Sequence, residues 1–449
     1  MTQKSKWLAI ALVAVLGIAG CNGGGGGATD TVTAPTGDKL TTSDSVEVMV
    51  FEGGYGKDFY EKAAEEYKAE TGVTVNIVGD PRIDEQVKPR FVQGNPPDLT
   101  YPGWRFDHWK AVDDEEVMKL DSVMGGKAWK SEELWKDTFE PSILKLGYGS
   151  GGQYVLPYFY SVIGWWYDPD LFATNGWTPP TNYTELLALC QKIKDKGMAP
   201  ITYQGQYPDY MISGMLTPWA ISVGGIDQYM KMQNLEPGAW NSDAVIRAAK
   251  MIRELRDMGY FQSGATAMSH TESQSEFVNS KAAMIPCGTW LYSEMENTMP
   301  KDRKMKFFLP PVLIDGKGDP SAIMIKIEPW FVPQAAKNQE HAIGFYKYMT
   351  SKEKAQQFVT EKGTLMAVKG ANQVDLPMHL QDAANLVASS SAIYAPQWRD
   401  FYPAMYKAVE TNITKLVSGE LTPEEFGAEC EKAAEEIRND NRVTKRTIE

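Results

Sequence analysis

Aromatic side chains recur in this sequence at points where a predicted strand runs into a loop. Five rings occupy such positions: Tyr55, Trp104, Tyr207, Trp290 and Trp330. An aromatic ring covers the apolar C–H face of a pyranose, and neighbouring amide or carboxylate groups pair with its hydroxyls, whose unpaired burial costs about 1–3 kcal/mol. This combination indicates carbohydrate binding, with core packing as the alternative for each ring.

Motifs for catalysis, phosphate binding and metal binding are not found in the sequence. The glycine-rich loop 53–56 lacks the lysine of a phosphate loop and the spacing of a dinucleotide fingerprint. The four histidines have no metal-ligand spacing, and no nucleophile elbow or HExxH is present. A glycosidase needs two carboxylates at a set separation, and 58 acidic residues leave such a pair possible. We predict a binding protein without catalytic residues, metal or cofactor; an exported carbohydrate-active enzyme and a purely structural surface lipoprotein are the alternatives.

The stretch QYVLPYFYSVIGWWYDPDLF, residues 153–172, predicts a crossing between two domains. Pro157 cannot donate to a β-ladder, so we expect its strand to stop there or to lie at a sheet edge. A second apolar, β-branched and aromatic run follows at residues 162–167. Tyr158 and Tyr160, at the crossing itself, are candidates for the wall of an inter-domain cleft, which is a usual place for a small ligand.

The elements before this crossing are expected to alternate between strand and helix. They are, in order, strand 46–51, a helix capped by Asp58 and stopped by Gly72, strand 73–78, helix 83–93 and strand 98–101. This alternation predicts a parallel sheet. Because ligands bind beyond the carboxyl ends of such strands, Tyr55 and Trp104 are placed on one rim.

The rest of the chain predicts a second α/β portion followed mainly by helices. Asn182 and Ser242 are expected to cap helices, and residues 199–203 to form a strand. We interpret residues 322–327 as the return crossing. The final helix begins with Thr422 as its N-cap, within a capping box.

The first 20 residues have the form of a lipoprotein signal peptide. Lys4 and Lys6 precede an apolar run, residues 7–18, that is too short to span a bilayer permanently. Small residues then lead to Cys21, which we expect to be lipidated; an ordinary signal peptide with an incidental cysteine is the alternative. The glycine-rich stretch 21–44 predicts a flexible tether.

Length and composition agree with an exported protein of two globular domains. The chain has 449 residues with 43% hydrophobic content, more than one small core requires. A net charge of −13 without a basic stripe argues against nucleic-acid binding. Cys190 and Cys430 fall on apolar helix faces and are expected to be buried free thiols, whereas the state of Cys287 stays open.

Several segments resemble a known family when taken in order. They are the lipobox, the first strand with its Gly-aromatic loop, NPPDLTY, YDPDLF with an N-capped helix, SKAAMIPCGTW and FVPQAAKNQEHAIGFYKYM. Over nearly all of residues 45–440 the chain is similar to the extracellular solute-binding proteins, family 1, of ABC sugar importers. FEGGYG, KPRFVQGNPPD, ALCQKIKDKGMAPITYQGQYPDYM, NLEPGAW and IPCGTW resemble most the N-acetylglucosamine- and diacetylchitobiose-binding lipoproteins.

The resemblance implies an α/β clamp of the periplasmic-binding-protein type, class II. Each of its two discontinuous lobes would be a mainly parallel sheet flanked by helices. The implied boundaries are 45–160 plus 328–372 for the N-terminal lobe and 161–325 plus 373–449 for the C-terminal lobe. It further implies a lipid-anchored monomer facing the periplasm or cell exterior, a carbohydrate ligand, and an ABC permease and ATPase as partners.

Site residues follow from the same resemblance, carried over by position. In the N-terminal lobe they are Tyr55, Tyr101 or Trp104 after the third strand, Glu328 and Trp330. For Glu328 the alternative is a salt bridge in the hinge region. In the C-terminal lobe they are Gln206, Tyr207, Gln274 and Trp290, with Tyr160 added at the crossing. Tyr101-Pro102 stands where related proteins often have polar residues, so this chain departs from the family pattern after its third strand.

Overall fold

The computed structural model describes residues 31–33, 39–41 and 45–448 of the chain. The expected signal peptide, Cys21 and most of the expected tether lie outside these residues. Within the tether range, β1 (Thr31–Thr33) and β2 (Lys39–Thr41) pair antiparallel.

The first sheet is parallel, as its strand–helix alternation predicts. Its elements are β3 (Ser45–Phe51), α1 (Asp58–Thr71), β4 (Thr74–Asp80), α2 (Ile83–Val92) and β5 (Leu99–Tyr101), in the strand order β4-β3-β5. Gly72 closes α1 in the left-handed conformation with a φ of 79°, which glycine adopts without steric cost. The expected cap at Asp58 is wrong by one position, because Asp58 is the first helical residue and Lys57 precedes it without a side-chain capping bond.

More elements follow β5 than precede it, and the last of them are helices. A connecting region holds α3 (His108–Asp113), α4 (Asp121–Met124), α5 (Pro141–Leu144), β6 (Tyr148–Gly149) and β7 (Gly152–Gln153). There follow β8 (Leu156–Tyr167), α6 (Pro169–Asn175), α7 (Tyr183–Asp195), β9 (Ala199–Ile201), α8 (Asp209–Met211), α9 (Thr217–Gly224), α10 (Ile226–Gln233), α11 (Asp243–Asp257), α12 (His270–Val278), β10 (Ala282–Gly288), α13 (Leu291–Met295) and β11 (Lys306–Phe308). The last are β12 (Ile323–Trp330), α14 (Gln339–Met349), α15 (Lys352–Lys362), β13 (Leu365–Met366), α16 (Met378–Ser389), β14 (Ile393–Tyr394), α17 (Gln397–Phe401), α18 (Pro403–Ser418) and α19 (Pro423–Asn439).

The long strand β8 lies in the middle of the second sheet. Its order is β14-β12-β8-β10-β9, and β11 and β13 also pair with β8. The strands β10, β11, β12 and β13 all run antiparallel to β8, while β9 and β14 pair parallel with their neighbours. This sheet is therefore mixed rather than mainly parallel. The strand β12, which contains most of the segment interpreted from the sequence as the return crossing, pairs antiparallel with β8.

The interruption expected at Pro157 is wrong. Pro157 is the second residue of a continuous twelve-residue strand that lies inside the sheet, not at its edge. It stands opposite Pro329, where the β8–β12 register shifts between Ile327 and Pro329. Two prolines that face each other at an irregular register need not donate to the ladder, so the strand can continue.

The caps expected in the second half are confirmed. The side chains of Asn182 and Ser242 accept hydrogen bonds from the third helical residues of α7 and α11. Thr422 and Glu425 form the capping box of α19. The thiols Cys190, Cys287 and Cys430 are all buried and free, which settles the open state of Cys287.

Candidate functional site

Loops and helix ends from distant parts of the chain meet at the carboxyl ends of the strands. The loop 53–56 after β3 approaches α13 so closely that a Cβ on Gly54 would lie 3.0 Å from Cγ of Glu294. Next to this contact lie two polar clusters, and Trp290 stands between them. The loop 53–56, α13 and the two polar clusters, which are far apart in sequence, therefore lie next to one another in the fold.

The first cluster, called here the charged centre, consists of Asp209, Lys326, Arg399 and Tyr406. The Asp209 carboxylate accepts a hydrogen bond from Lys326, one from Tyr406 at 2.6 Å and one from Arg399 at 3.4 Å. The side chains of Asp209, Lys326 and Arg399 are only 15%, 14% and 17% exposed. Asp209 thus pairs with both cations, and Arg399 has a second partner in Asp400, whose Oδ1 lies 3.9 Å from its Nε.

Opposing effects act on the ionisation of this cluster. Burial by itself raises the pKa of Asp209, but the charges of Lys326 and Arg399, with hydrogen bonds from Lys326 and Tyr406, hold it well below its ordinary value. Burial lowers the pKa of Lys326, and the Asp209 charge opposes that shift. Asp209 therefore carries its negative charge throughout the neutral pH range.

Local structure explains how Asp209 reaches this place. It begins α8 after the loop that follows β9, and the Ser213 hydroxyl donates back to its carbonyl at 2.6 Å. Between α8 and α9 the helix widens into a π-helical segment, Ile212–Leu216. Such segments are frequent at functional sites, because they re-aim the side chains of the preceding turn.

Glu328 lies two residues after Lys326 on β12, and the Lys326 charge acts on its carboxyl. Its carboxyl accepts a hydrogen bond from the Tyr101 hydroxyl, and the Tyr101 ring stacks on Trp330 with centroids 5.6 Å apart. Burial raises the pKa of Glu328 to about 7, although the Tyr101 hydrogen bond and the charges of Arg399 and Lys326 act in the opposite direction. This carboxyl changes charge near neutral pH.

Trp290 follows β10 in the turn that starts at Gly288. Its ring lies 5.7 Å from the Lys326 ammonium, within the range of a cation–π contact. A Cβ on Gly288 would lie 2.0 Å from a ring atom of Trp290, so only glycine allows the indole to fold back here. The indole N–H is buried near the Tyr210 hydroxyl, but it makes no hydrogen bond of good geometry to the described residues.

The second cluster, called here the histidine centre, contains Gln204, Tyr210, His270, Gln274 and Glu294. His270 Nδ1 lies 2.8 Å from both Gln204 Oε1 and the Tyr210 hydroxyl, and Nε2 lies 2.7 Å from Glu294 Oε2. Gln274 Nε2 donates to Glu294 Oε2 at 2.6 Å and to Tyr210 at 3.1 Å. The Gln274 Oε1 atom is buried, and no described residue bonds to it. The cluster thus holds one free buried acceptor.

The structure brings some of the expected site residues to these clusters. Tyr101 and Glu328 bond to each other, Gln274 belongs to the histidine centre, and Trp290 contacts Lys326. The Tyr55 ring packs edge-on against Phe159 with centroids 5.2 Å apart.

Other expected residues lie apart from the clusters. Trp104 and Tyr207 are 59% and 56% exposed. Gln206 is exposed, and its amide donates to the Ala267 carbonyl at 3.0 Å. Trp330 is fully buried among other rings, including Tyr101.

Tyr160 is also buried, and its hydroxyl accepts a hydrogen bond from Asn372 at 3.4 Å. Ligand contact by any of these expected residues stays a prediction.

Sequence reasoning missed most of the two clusters. The missed residues are Gln204, Asp209, Tyr210, His270, Glu294, Lys326, Arg399 and Tyr406. One signal was available, since Lys326 interrupts the otherwise apolar start of β12 and alternates with Glu328. The others carry no local sign of their partners, because their contacts join elements far apart in the chain.

Within residues 45–448 no group of three or more His, Cys, Asp or Glu side chains is placed to hold a metal ion. Over the described part of the chain, no helix combines the length and apolarity needed to cross a membrane.

Two named relatives match the chain, one over most of its length and one over about half. The diacetylchitobiose binding protein NgcE of Streptomyces coelicolor is 26% identical over 413 residues, which cover 90% of this chain and 87% of that protein. A multiple sugar-binding protein of Streptococcus mutans is 26% identical over 228 residues, 49% of this chain and 52% of that protein.

Solved structures and a family model agree on the fold and the family. A chitin oligosaccharide binding protein superimposes with a TM-score of 0.69 at 22% identity, covering 84% of this chain and 94% of that one. A protein described in a study of xylan utilization by Caldanaerobius polysaccharolyticus gives a TM-score of 0.73 at 20% identity, covering 87% and 99%. These likenesses show the periplasmic-binding-protein-like fold. Since the model of the bacterial extracellular solute-binding protein family matches residues 53–356, the chain belongs to that family.

Proposed function

We propose that this chain is the substrate-binding lipoprotein of a carbohydrate ABC importer. It captures a sugar in the cleft between its lobes and delivers it to a permease driven by an ATPase. Family membership supports the transport role, and Trp290 beside two polar clusters supports the ligand class. A ring next to charged and amide side chains suits a molecule with an apolar face and a rim of hydroxyls.

We further propose that the ligand is an N-acetylated hexosamine or a short chitooligosaccharide. One observation carries this choice: the Trp290 N–H and the Gln274 Oε1 are both buried without a hydrogen-bond partner among the described residues. The Tyr210 hydroxyl links the two side chains, because it lies near the Trp290 N–H and accepts a hydrogen bond from Gln274 Nε2 at 3.1 Å. An acetamido group brings one C=O acceptor and one N–H donor, which match this free donor and free acceptor. The names of the two chitin-related proteins above agree with the choice.

Access to this donor–acceptor pair requires the enclosed site to open. Both atoms are buried, and the loop 53–56 is in contact with Glu294. We therefore infer that the lobes separate to admit the sugar and close over it, and that the sugar binds the closed state more tightly.

Substitution of Trp290 tests the ligand. Trp290→Ala should weaken binding of chitobiose by at least about 30-fold, since it removes a ring of the kind that dominates binding sites. Trp290→Phe keeps a ring but removes the N–H. It should therefore lose about tenfold for N-acetylglucosamine and chitobiose while leaving any weak glucose binding unchanged. Calorimetry with N-acetylglucosamine, chitobiose, glucose and maltose measures all of these.

Each outcome of that titration is informative. Equal wild-type affinity for glucose and N-acetylglucosamine would contradict the acetamido pairing, because unmatched buried groups reject the sugar that lacks the amide. Tight maltose binding would favour another oligosaccharide as the ligand. Chitobiose recovered as monosaccharide after long incubation would favour the exported carbohydrate-active enzyme; we expect it to be recovered intact.

The lipid anchor is tested at Cys21, which lies outside the described residues. A lysine-led apolar run followed by small residues and cysteine is the basis for the anchor. Cys21→Ala should move the protein from the membrane fraction to the soluble exported fraction, as measured by fractionation and immunoblotting. Cys190→Ala, a change at a buried thiol, is the control and should leave the protein with the membrane. Retention of the Cys21 variant on the membrane would contradict lipidation.

A further inference from the structure

The segment that follows α19 folds back over the molecule. Residues 443–448 form what we call the clasp. The Arg446 backbone N–H donates to the Tyr402 hydroxyl at 2.9 Å, and that hydroxyl donates to the Arg446 carbonyl at 3.2 Å. Two residues later, Ile448 and Asn234 exchange a second pair of hydrogen bonds, at 2.8 and 3.1 Å. The clasp is thus held at two points along its backbone.

The Arg446 side chain makes the third attachment, and it is only 4% exposed. Its guanidinium pairs with Asp113 and donates to the Trp109 carbonyl at 3.1 Å. It also lies 5.3 Å from the Trp109 ring and 5.1 Å from the Phe401 ring. These two rings meet edge to face with centroids 4.8 Å apart. Arg446 therefore joins α3, which carries Trp109 and Asp113, to the end of α17.

The end of α17 also leads to the charged centre. Arg399 lies two residues before Phe401, and Tyr406 lies four residues after Tyr402. Both Arg399 and Tyr406 hold Asp209. The α17–α18 junction, residues 397–406, thus carries the contacts of the clasp and those of the charged centre. With the lobe boundaries expected from the sequence, α3 belongs to the N-terminal lobe and this junction to the C-terminal lobe.

We propose that Arg446 is a positioning residue for sugar binding. By fixing the α17–α18 junction against α3, it sets the place of Arg399 and Tyr406 around Asp209 and favours the enclosed arrangement of the two lobes. It acts through these residues and does not touch the ligand. The proposal rests on the proposed function for its link to sugar, but not for the coupling between the clasp and the charged centre.

The chain is expected to stay folded without this side chain. Asp113 is 20% exposed, so after Arg446→Ala water can hydrogen-bond to its carboxylate in place of the guanidinium. Arg446→Lys keeps the positive charge but loses the planar fork that reaches Asp113, the Trp109 carbonyl and the rings together. The matched control is Arg442→Ala, four residues before Arg446, which removes a 90% exposed arginine that pairs with Asp440.

A ligand-free measurement tests the coupling. Hydrogen exchange of the full chain is followed by mass spectrometry for wild type, Arg446→Ala and Arg442→Ala. In Arg446→Ala we expect at least fivefold faster exchange in peptides covering 397–406 and 209–216, with the wild-type pattern in Arg442→Ala. Faster exchange confined to 443–448 would overturn the proposal, since the clasp would then be local.

An affinity measurement tests the consequence for sugar. Arg446→Ala should weaken chitobiose binding about tenfold, mainly through faster dissociation, with Arg446→Lys in between and Arg442→Ala unchanged. In an Arg399→Ala background, Arg446→Ala should cost less than twofold, because the residue through which it acts is already gone. Full additivity, or unchanged affinity in Arg446→Ala, would show a merely structural role and overturn the proposal. If wild type binds no sugar of the panel, the proposed function fails and hydrogen exchange alone decides the coupling.

Discussion

Asp209→Ala is expected to destabilise the folded protein by about 3 kcal/mol. Asp209 pairs with Lys326 and Arg399, whose side chains are 14% and 17% exposed, and only Arg399 keeps a second carboxylate nearby, Asp400 at 3.9 Å. Removal of one partner from a buried ion pair leaves an uncompensated charge and typically costs about 3–5 kcal/mol. We place the effect at the lower end of that range because each side chain keeps some contact with water. Denaturant unfolding at neutral pH measures it.

Two companion variants show whether uncompensated charge is the cause. Lys326→Met in the Asp209→Ala background should restore part of the lost free energy of unfolding, because it removes the cation that has lost its carboxylate partner. Asp315→Ala breaks the surface pair with Arg247, in which Asp315 is 72% exposed, and should cost under about 1 kcal/mol. A double variant no more stable than Asp209→Ala would contradict the charge argument and would point to lost packing.

Glu328→Gln is expected to be more stable than wild type above neutral pH by up to about 3 kcal/mol. The pKa of Glu328 rises to about 7 in the fold, chiefly through burial, against an ordinary glutamate value of about 4.3 in the unfolded chain. One pKa unit corresponds to about 1.4 kcal/mol, and the residual solvent contact of this side chain reduces the total. Glutamine keeps an acceptor for the Tyr101 hydroxyl and carries no charge.

The sign and the pH window follow from proton binding. Below about pH 4 the carboxyl is protonated in both the folded and the unfolded state, so it adds no pH dependence. Between about pH 4 and pH 7 the unfolded chain has lost this proton while the folded protein keeps it, so wild type loses stability relative to Glu328→Gln as the pH rises. Above pH 7 the difference levels off.

The measurement is the difference in free energy of unfolding between the variant and wild type at pH 5, 6, 7 and 8. Taking the difference cancels the titration of the other carboxylates. Glu65→Gln, at an exposed position of α1, is the control and should give a difference that does not change with pH. A difference for Glu328→Gln that is equally flat would contradict a neutral Glu328 below pH 7.

Local patterns in the sequence were enough for the class of fold and for many of its elements. The strand–helix alternation of the first sheet, the caps Asn182, Ser242 and Thr422, and the buried thiols Cys190 and Cys430 depend on neighbours within a few positions. Hydrophobic periodicity and helix capping depend on residues close in sequence, so both can be recognised from the sequence alone. Short motifs that occur along the chain in the order typical of the family also predicted the family, and the match over residues 53–356 confirms it.

Local patterns were insufficient where the conformation of a residue depends on a strand that is distant in sequence. Pro157 reads as the end of a strand until Pro329 is placed opposite it. In the same way, the sequence could not distinguish Trp104, which is 59% exposed, from Trp330, which is fully buried. Trp104 follows β5 and Trp330 ends β12, and only the packing of neighbouring elements decides which of these rings water can reach.

The charged centre was decided by the tertiary structure alone. Asp209 and Tyr406 are 197 positions apart, and Lys326 and Arg399 come from two further elements. No periodicity connects such positions, because their meeting depends on how sheets and helices pack. The physical reason that they must meet is the high free energy of a buried charge without a partner, which Asp209 lowers for both cations. The sequence by itself thus determined the fold class and many helices and strands, and long-range packing determined which charged side chains form one site.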